Sequence, residues 1–145
     1  MVCTFFGHSE CYGLEATVLR RAIEDLIRQG VTEFLVGNHG QFDGMAFSCL
    51  QQLSQTFPHI QYSVVLAYLP TGNSRYDIYQ GHSFYPEGQE LGPARFAIDR
   101  RNRYMVNAAD ICICYVNHTF GGAYKFARMA QHRGKKVINL GTAPL

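Results

Sequence analysis

A chain of 145 residues with 47% apolar and 17% charged side chains can build one sizeable core but not two, and it is too hydrophobic to be disordered. Its 13 Lys and Arg against 11 Asp and Glu leave a formal charge of +2, a balance that argues against a nucleic-acid or membrane-surface partner. No apolar stretch approaches the roughly 18–20 residues of a spanning helix, and Met1–Phe5 has no basic n-region, so no secretory signal is expected.

The first strand is predicted over Val2 to Phe6 and is closed by Gly7. From Leu14 to Gln29 the apolar residues Leu14, Val18, Leu19, Ala22, Ile23, Leu26 and Ile27 recur at i, i+3, i+4, the spacing of an amphipathic helix. Gly30 suits its C-terminal cap. Glu33 to Gly37 reads as a buried second strand. Asp43 is placed to cap the following helix, whose apolar face runs Met45, Ala46, Cys49, Leu50, Leu53 up to Pro58. Gln61 to Leu69 reads as a third strand.

Residues 68–92 show no period and are rich in Tyr, Gly and Pro. A loop of that length in a compact domain is usually functional, and Tyr79, Tyr85 and Glu87 are placed to close over a ligand. Pro93 opens a helix to Ala109. On it Ala94, Ile98, Met105 and Ala109 form an apolar stripe, with Asp99, Arg100, Arg103 and Asn107 on the opposite, solvated side. Arg101 and Asn102 fall within the stripe, where a charge needs a partner. A bound phosphate or carboxylate would suit Arg101; the alternative is an internal pair with Asp43 or Glu87. Ile111 to Val116 is a fourth strand. Gly121-Gly122 opens the last helix, Gly134 caps it, and Lys136 to Leu140 is a fifth strand.

Short apolar strands alternating with helices imply an α/β, three-layer Rossmann-like sandwich with a five-stranded, mostly parallel sheet of order 3-2-1-4-5, spanning 1–145 as one domain. Such sheets bind ligands at the carboxyl ends of the strands where the order reverses, here at the loops after strands one and four. Glycines stand there and after strand two: Gly7, then Gly37 and Gly40, then Gly121-Gly122. A helix N-terminus offers free N–H groups to an anion, and glycine permits close approach; tight βα turns also need glycine for their geometry. No GxGxxG or GxxxxGK[ST] is present, which weighs against dinucleotide and ATP-hydrolysing folds. His8, His39 and His118 share the same edge, but their spacing carries no metal signature, so no metal or other cofactor is expected. The five cysteines are an odd count without a CxxC pair. They read as buried reduced thiols of a cytoplasmic protein.

Gly7-His8, Gly37-Asn38-His39-Gly40-Gln41-Phe42-Asp43, Arg101-Asn102-Arg103-Tyr104-Met105 with Ala109-Asp110, and Gly121-Gly122-Ala123 together resemble the SLOG superfamily. This is the Rossmann-like group of Smf DNA-processing proteins and LOG hydrolases, and the likeness is nearest to its short YpsA-like bacterial branch. The resemblance implies a nucleotide-derived ligand, such as a nucleoside monophosphate or an ADP-ribose-like compound. Gly121 and Gly122 would hold its phosphate and Arg101 would steady the ribose-phosphate. Gly7, His8, Asn102 and the loop of Gly37, Asn38, Gly40 and Asp43 would meet the rest. LOG-type N-glycosidases carry GGxGTxxE; here Tyr124 and Lys125 replace the next glycine and the threonine, and Arg128 stands at the glutamate. A hydrolase of nucleoside 5′-monophosphates would therefore need Asp43 or Glu87 as its carboxylate. The first expectation is ligand binding, the second that hydrolase. The third is a homo-oligomeric interaction protein with a vestigial pocket, which the modest charge and apolar fraction permit.

Overall fold

A computed structural model describes residues 1–69 and 78–145. The chain runs β1 (Val2–Gly7), α1 (Ala16–Arg28), β2 (Glu33–Val36), α2 (Gln41–Thr56), β3 (Gln61–Val65), β4 (Ser83–Phe84), a 3-10 turn at Ala94–Phe96, α3 (Ala97–Ala108), β5 (Ile111–Tyr115), α4 (Gly122–His132) and β6 (Lys136–Asn139). The six strands form one sheet of order β4-β3-β2-β1-β5-β6, and each neighbouring pair is parallel. The five predicted strands stand in the predicted order. The sixth, β4, lies in the Tyr/Gly-rich segment, and two residues are too few to carry a period. It is held because Val64 and Leu66 donate to the carbonyls of His82 and Phe84 at 2.7 and 2.9 Å.

Strand residues alternate between two cores. Cys3, Phe5, Phe34, Val36, Ile111 and Ile113 pack with α1 and α2 on one face. Phe6, Leu35, Val65, Cys112 and Cys114 pack with Met105 and Val106 of α3 and Phe126 of α4 on the other. All five cysteines are free and buried. Thr4, buried between the layers, donates its hydroxyl to Leu35 O at 2.9 Å. No helix among the described residues is long and apolar enough to cross a membrane.

Several local expectations change. α2 begins at Gln41 with Gly40 at its N-cap, so Asp43 sits inside the first turn instead of capping it. Arg100 is half-buried, not solvated: Nε donates to Gln89 O at 2.9 Å and Nη1 to Pro93 O at 2.7 Å. Buried Gln89 in turn donates Nε2 to Ala67 O and Ala97 O at 3.1 and 2.6 Å. These bonds fasten the segment after β4 to the end of β3 and the start of α3. Tyr79 packs edge-on to Phe47 of α2 at 5.4 Å, and Tyr85 also packs on the α1/α2 core. The rest of the predicted cover, residues 70–77, lies outside the described residues.

Candidate functional site

The carboxyl ends of β1 and β5, the central neighbours where strand order reverses, open into a cavity of about 640 Å³. That size falls in the range of small-molecule sites. Its walls come from the β1–α1 loop (Gly7, His8, Ser9, Glu10), from His39 and Asp43, from Ile98, Arg101, Asn102 and Met105 of α3, and from the β5–α4 loop through Gly121, Gly122 and Ala123.

The N-terminus of α4 is open. Gly121, at φ 89°, is the N-cap, no side chain caps the turn, and the first turn holds no acid. The first intrahelical bond is Lys125 N–H to Gly121 O at 3.0 Å, which leaves the amides of the first turn without helical acceptors. A Cβ built on Gly122 meets nothing within 4 Å. The loop before this turn is held from behind: Asn117 Oδ1 accepts from the amide and hydroxyl of Thr142 at 3.0 and 3.2 Å.

Arg101 is 2% exposed, the largest fully buried side chain among the described residues. Its Nε donates to Asn102 Oδ1 at 2.8 Å, and its Nη1 donates to Asn38 Oδ1 and Val65 O, both at 3.0 Å. None of these acceptors is charged. Among the described residues no carboxylate pairs with it within 4.0 Å. The internal pair with Asp43 or Glu87 is not formed, and no described residue bonds Nη2. Burial lowers its pKa, which nearby Asp43 partly opposes. The result is a buried, fixed guanidinium in the cavity wall, near Asp43 but not ion-paired to any carboxylate among the described residues, an arrangement suited to an incoming anion.

Half-buried Asp43 accepts the His39 amide on Oδ2 at 2.9 Å. No described residue donates to Oδ1. Burial pushes its carboxyl up to about 6, against the lowering effects of the His39 amide and Arg101. Gly37 permits this arrangement: a Cβ there would lie 2.8 Å from Asp43 Oδ2 and 3.2 Å from Arg101 Cζ.

His8 and His118 stack at 3.9 Å, and Phe120 continues the column at 3.9 Å. His8 Nε2 accepts the Asn117 amide at 2.9 Å, so that nitrogen is unprotonated. Burial and the neighbouring His118 lower the His8 pKa.

Of the predicted site residues, the cavity wall unites Gly7, His8, Asp43, Arg101, Asn102, Gly121 and Gly122. Gly37, Asn38 and Gly40 stand behind it. Gly40, at φ 98°, packs 2.6 Å from Ser9 Cα at the position a Cβ would take. Gly7 is a glycine for packing as well, because the Phe42 ring fills its Cβ position. Glu87 is exposed, and neither it nor Tyr79 or Tyr85 lines the cavity. Glu10, Ser9 and Asn117 do line it. The rule that selected His8, a loop leaving β1 at the reversal point, extends to Ser9 and Glu10. At the positions that depart from GGxGTxxE, Lys125 pairs with Asp99 at 2.7 Å and Arg128 reaches Gln131 at 2.9 Å. These contacts serve helix surfaces, not the cavity.

No family model matches the chain, and no curated protein matches it. Among solved structures it is similar to DNA processing protein A from Helicobacter pylori, described in its single-stranded DNA binding mode. The TM-score is 0.67 at 15% identity over 99% of this chain and 66% of that one. It is also similar to DNA processing protein A from Streptococcus pneumoniae, with TM-score 0.68 at 13% identity over 99% of this chain and 51% of that one. The chain thus spans between half and two thirds of these neighbours, and the likeness shows a shared fold. It also corrects one expectation. A charge of only +2 predicts no nucleic-acid partner, yet a protein of this fold binds single-stranded DNA. Net charge sums the whole surface and says nothing of how it is distributed.

Proposed function

We propose that the cavity binds a nucleotide through its phosphate. The observation that carries this is the pairing, in one cavity, of an uncapped helix N-terminus at Gly121-Gly122 with a buried guanidinium, Arg101, that has no carboxylate partner among the described residues. The phosphate would lie on the α4 amides and draw on Arg101. Asp43 Oδ1 would accept a ribose hydroxyl. A nucleoside monophosphate or an ADP-ribose-like compound fits this description, in line with the resemblance to YpsA-like members of the SLOG superfamily. The test is thermal unfolding with AMP, UMP and ADP-ribose: a ligand that binds the native state raises Tm with concentration. Absence of a shift with all three at millimolar concentration sinks the reading.

A second reading is that the bound nucleotide belongs to a single strand of nucleic acid. The DNA-processing neighbour from Helicobacter pylori favours it. Hydrolysis of an N-glycosidic bond is a third reading; it rests on Asp43, held near pH 6, and on the cavity carboxylate Glu10. Release of free base from the same incubations would establish it.

A further inference from the structure

The charge of +2 is the sum of two unlike parts. Residues 1–96 carry five Lys and Arg against nine acids, and residues 97–145 carry eight against two, so the totals are −4 and +6. In the second part, Asp99 is bound by Arg103 at 2.6 Å and Lys125 at 2.7 Å. Asp110 accepts the Val2 amide at 2.9 Å. From residue 121 onward there is no acid at all, and Arg128, Arg133, Lys135 and Lys136 touch only neutral groups or none among the described residues. Arg128 reaches Gln131 and His132. Arg133 and Lys135 converge on Asn107 at the end of α3, on its side chain and its carbonyl respectively. Cations at a helix C-terminus do stabilise it, but that role leaves their charge uncompensated.

The fold gives these cations a direction. α4 starts at the cavity and returns to the opposite edge of the sheet, where β6 begins at Lys136. From Lys125, beside the phosphate cradle, the basic surface descends through Arg128 and His132 on one side of α4 to Arg133, Lys135 and Lys136. Eight residues of helix cover roughly 12 Å, and Arg128, Arg133, Lys135 and Lys136 offer four cations along that path and just beyond it.

We propose that this α4–β6 surface is a second phosphate-contact site, tracking the backbone of a single-stranded nucleic acid whose one nucleotide occupies the cavity. The proposal extends the cavity reading from a mononucleotide to an oligonucleotide. Charge complementarity and continuity with the α4 N-terminus choose this occupant over a lipid surface or a second copy of the chain.

The test uses the full chain and a labelled single strand of about 12 nucleotides, followed by anisotropy against salt. Four contacts predict a log–log slope of about −3, at about −0.7 per phosphate on a single strand. The triple variant Arg128→Gln, Arg133→Gln, Lys136→Gln should fall to a slope of about −1 and bind at least about tenfold more weakly near 0.1 M salt. Its thermal shift with AMP should equal that of the native chain. The proposal is overturned if the triple variant keeps the native slope, if the chain binds phosphatidylserine vesicles but not the strand, or if the variant loses only self-association. Strand binding that the triple variant weakens, without any AMP shift in the native chain, would retain this surface and discard the cavity reading. Loss of both ligands in Arg101→Ala, with the triple variant unaffected, would do the reverse.

Discussion

Two helices begin at the same edge of the sheet, each after a glycine with positive φ, and their N-termini are opposites. At α2 the end is closed. Gly40 is packed against Ser9, the Gln41 amide donates to Ser9 O at 2.8 Å, and Asp43 places a carboxylate in the first turn. At α4 the end is open, without a cap, an acid or a neighbour at the Gly122 Cβ position. Similar N-cap geometry therefore has two outcomes: the protein answers the α2 dipole with its own groups, and among the described residues nothing answers the α4 dipole.

The largest effect is expected at Arg101, which lines the same cavity as Asp43 and the Gly121-Gly122 turn. Arg101→Ala should weaken AMP binding by about 100-fold, since truncating a buried charge partner costs about 2–5 kcal/mol. Isothermal titration reads this, and unchanged affinity would remove the guanidinium from the site. Arg101→Lys should recover little, because an ammonium cannot span Asn102, Asn38 and Val65 together.

Next in size, Gly40→Ala should destabilise the closed end by about 2–3 kcal/mol in urea unfolding. The methyl would stand 2.6 Å from the Ser9 backbone at φ 98°, combining strain with overlap. A smaller effect should close the open end. Gly122→Asp copies the acid of α2 into α4 at a position with free space. Ligand affinity should drop about tenfold, while stability stays level or rises by about 0.3–1 kcal/mol. A variant with unaltered AMP affinity would show that the α4 amides are not the cradle.

Asp43→Asn sharpens the contrast through pH. The native carboxyl titrates near 6, above its ordinary 3.8. The folded state therefore holds its proton more tightly than the unfolded chain, and stability falls as pH rises from about 4 to about 6. The asparagine variant escapes that loss while its amide oxygen can still accept the His39 N–H. It should gain about 1–2 kcal/mol at about pH 7.5 and nothing below about pH 4, while binding ribonucleotides more weakly. Destabilisation at neutral pH would show that the Asp43 carboxylate serves only to hold the His39 amide. The smallest effect belongs to His8. Its lowered pKa means that the unfolded chain protonates first as pH falls below about 6.5, so stability declines on acidification. His8→Gln should flatten that decline in chemical denaturation.

Much of this frame was legible in the residues. Alternating strand and helix periods mark five of the six strands, because buried parallel strands are short, apolar and bounded by turns, and their order is the one a Rossmann-like fold leads one to expect. The 3.6-residue period of α3 alone placed Arg101 inward, since any residue within an apolar stripe faces the sheet. The same wheel points Arg100 to solvent, but a segment with no period of its own draws it down onto the carbonyls of Gln89 and Pro93. Glu87, Tyr79 and Tyr85 stand in an unpatterned stretch, where residue type is the only guide. Packing sent the tyrosines to the α1/α2 core and left Glu87 outside the cavity.

Periodicity and turn chemistry are local, and they determined the elements and, through the alternation of strand and helix, the fold class. Which helix end is closed and which acceptors hold Arg101 were decided only by tertiary structure. Each of those depends on side chains far apart in the chain meeting across the sheet, and the spacing of neighbours along a sequence carries no record of such meetings.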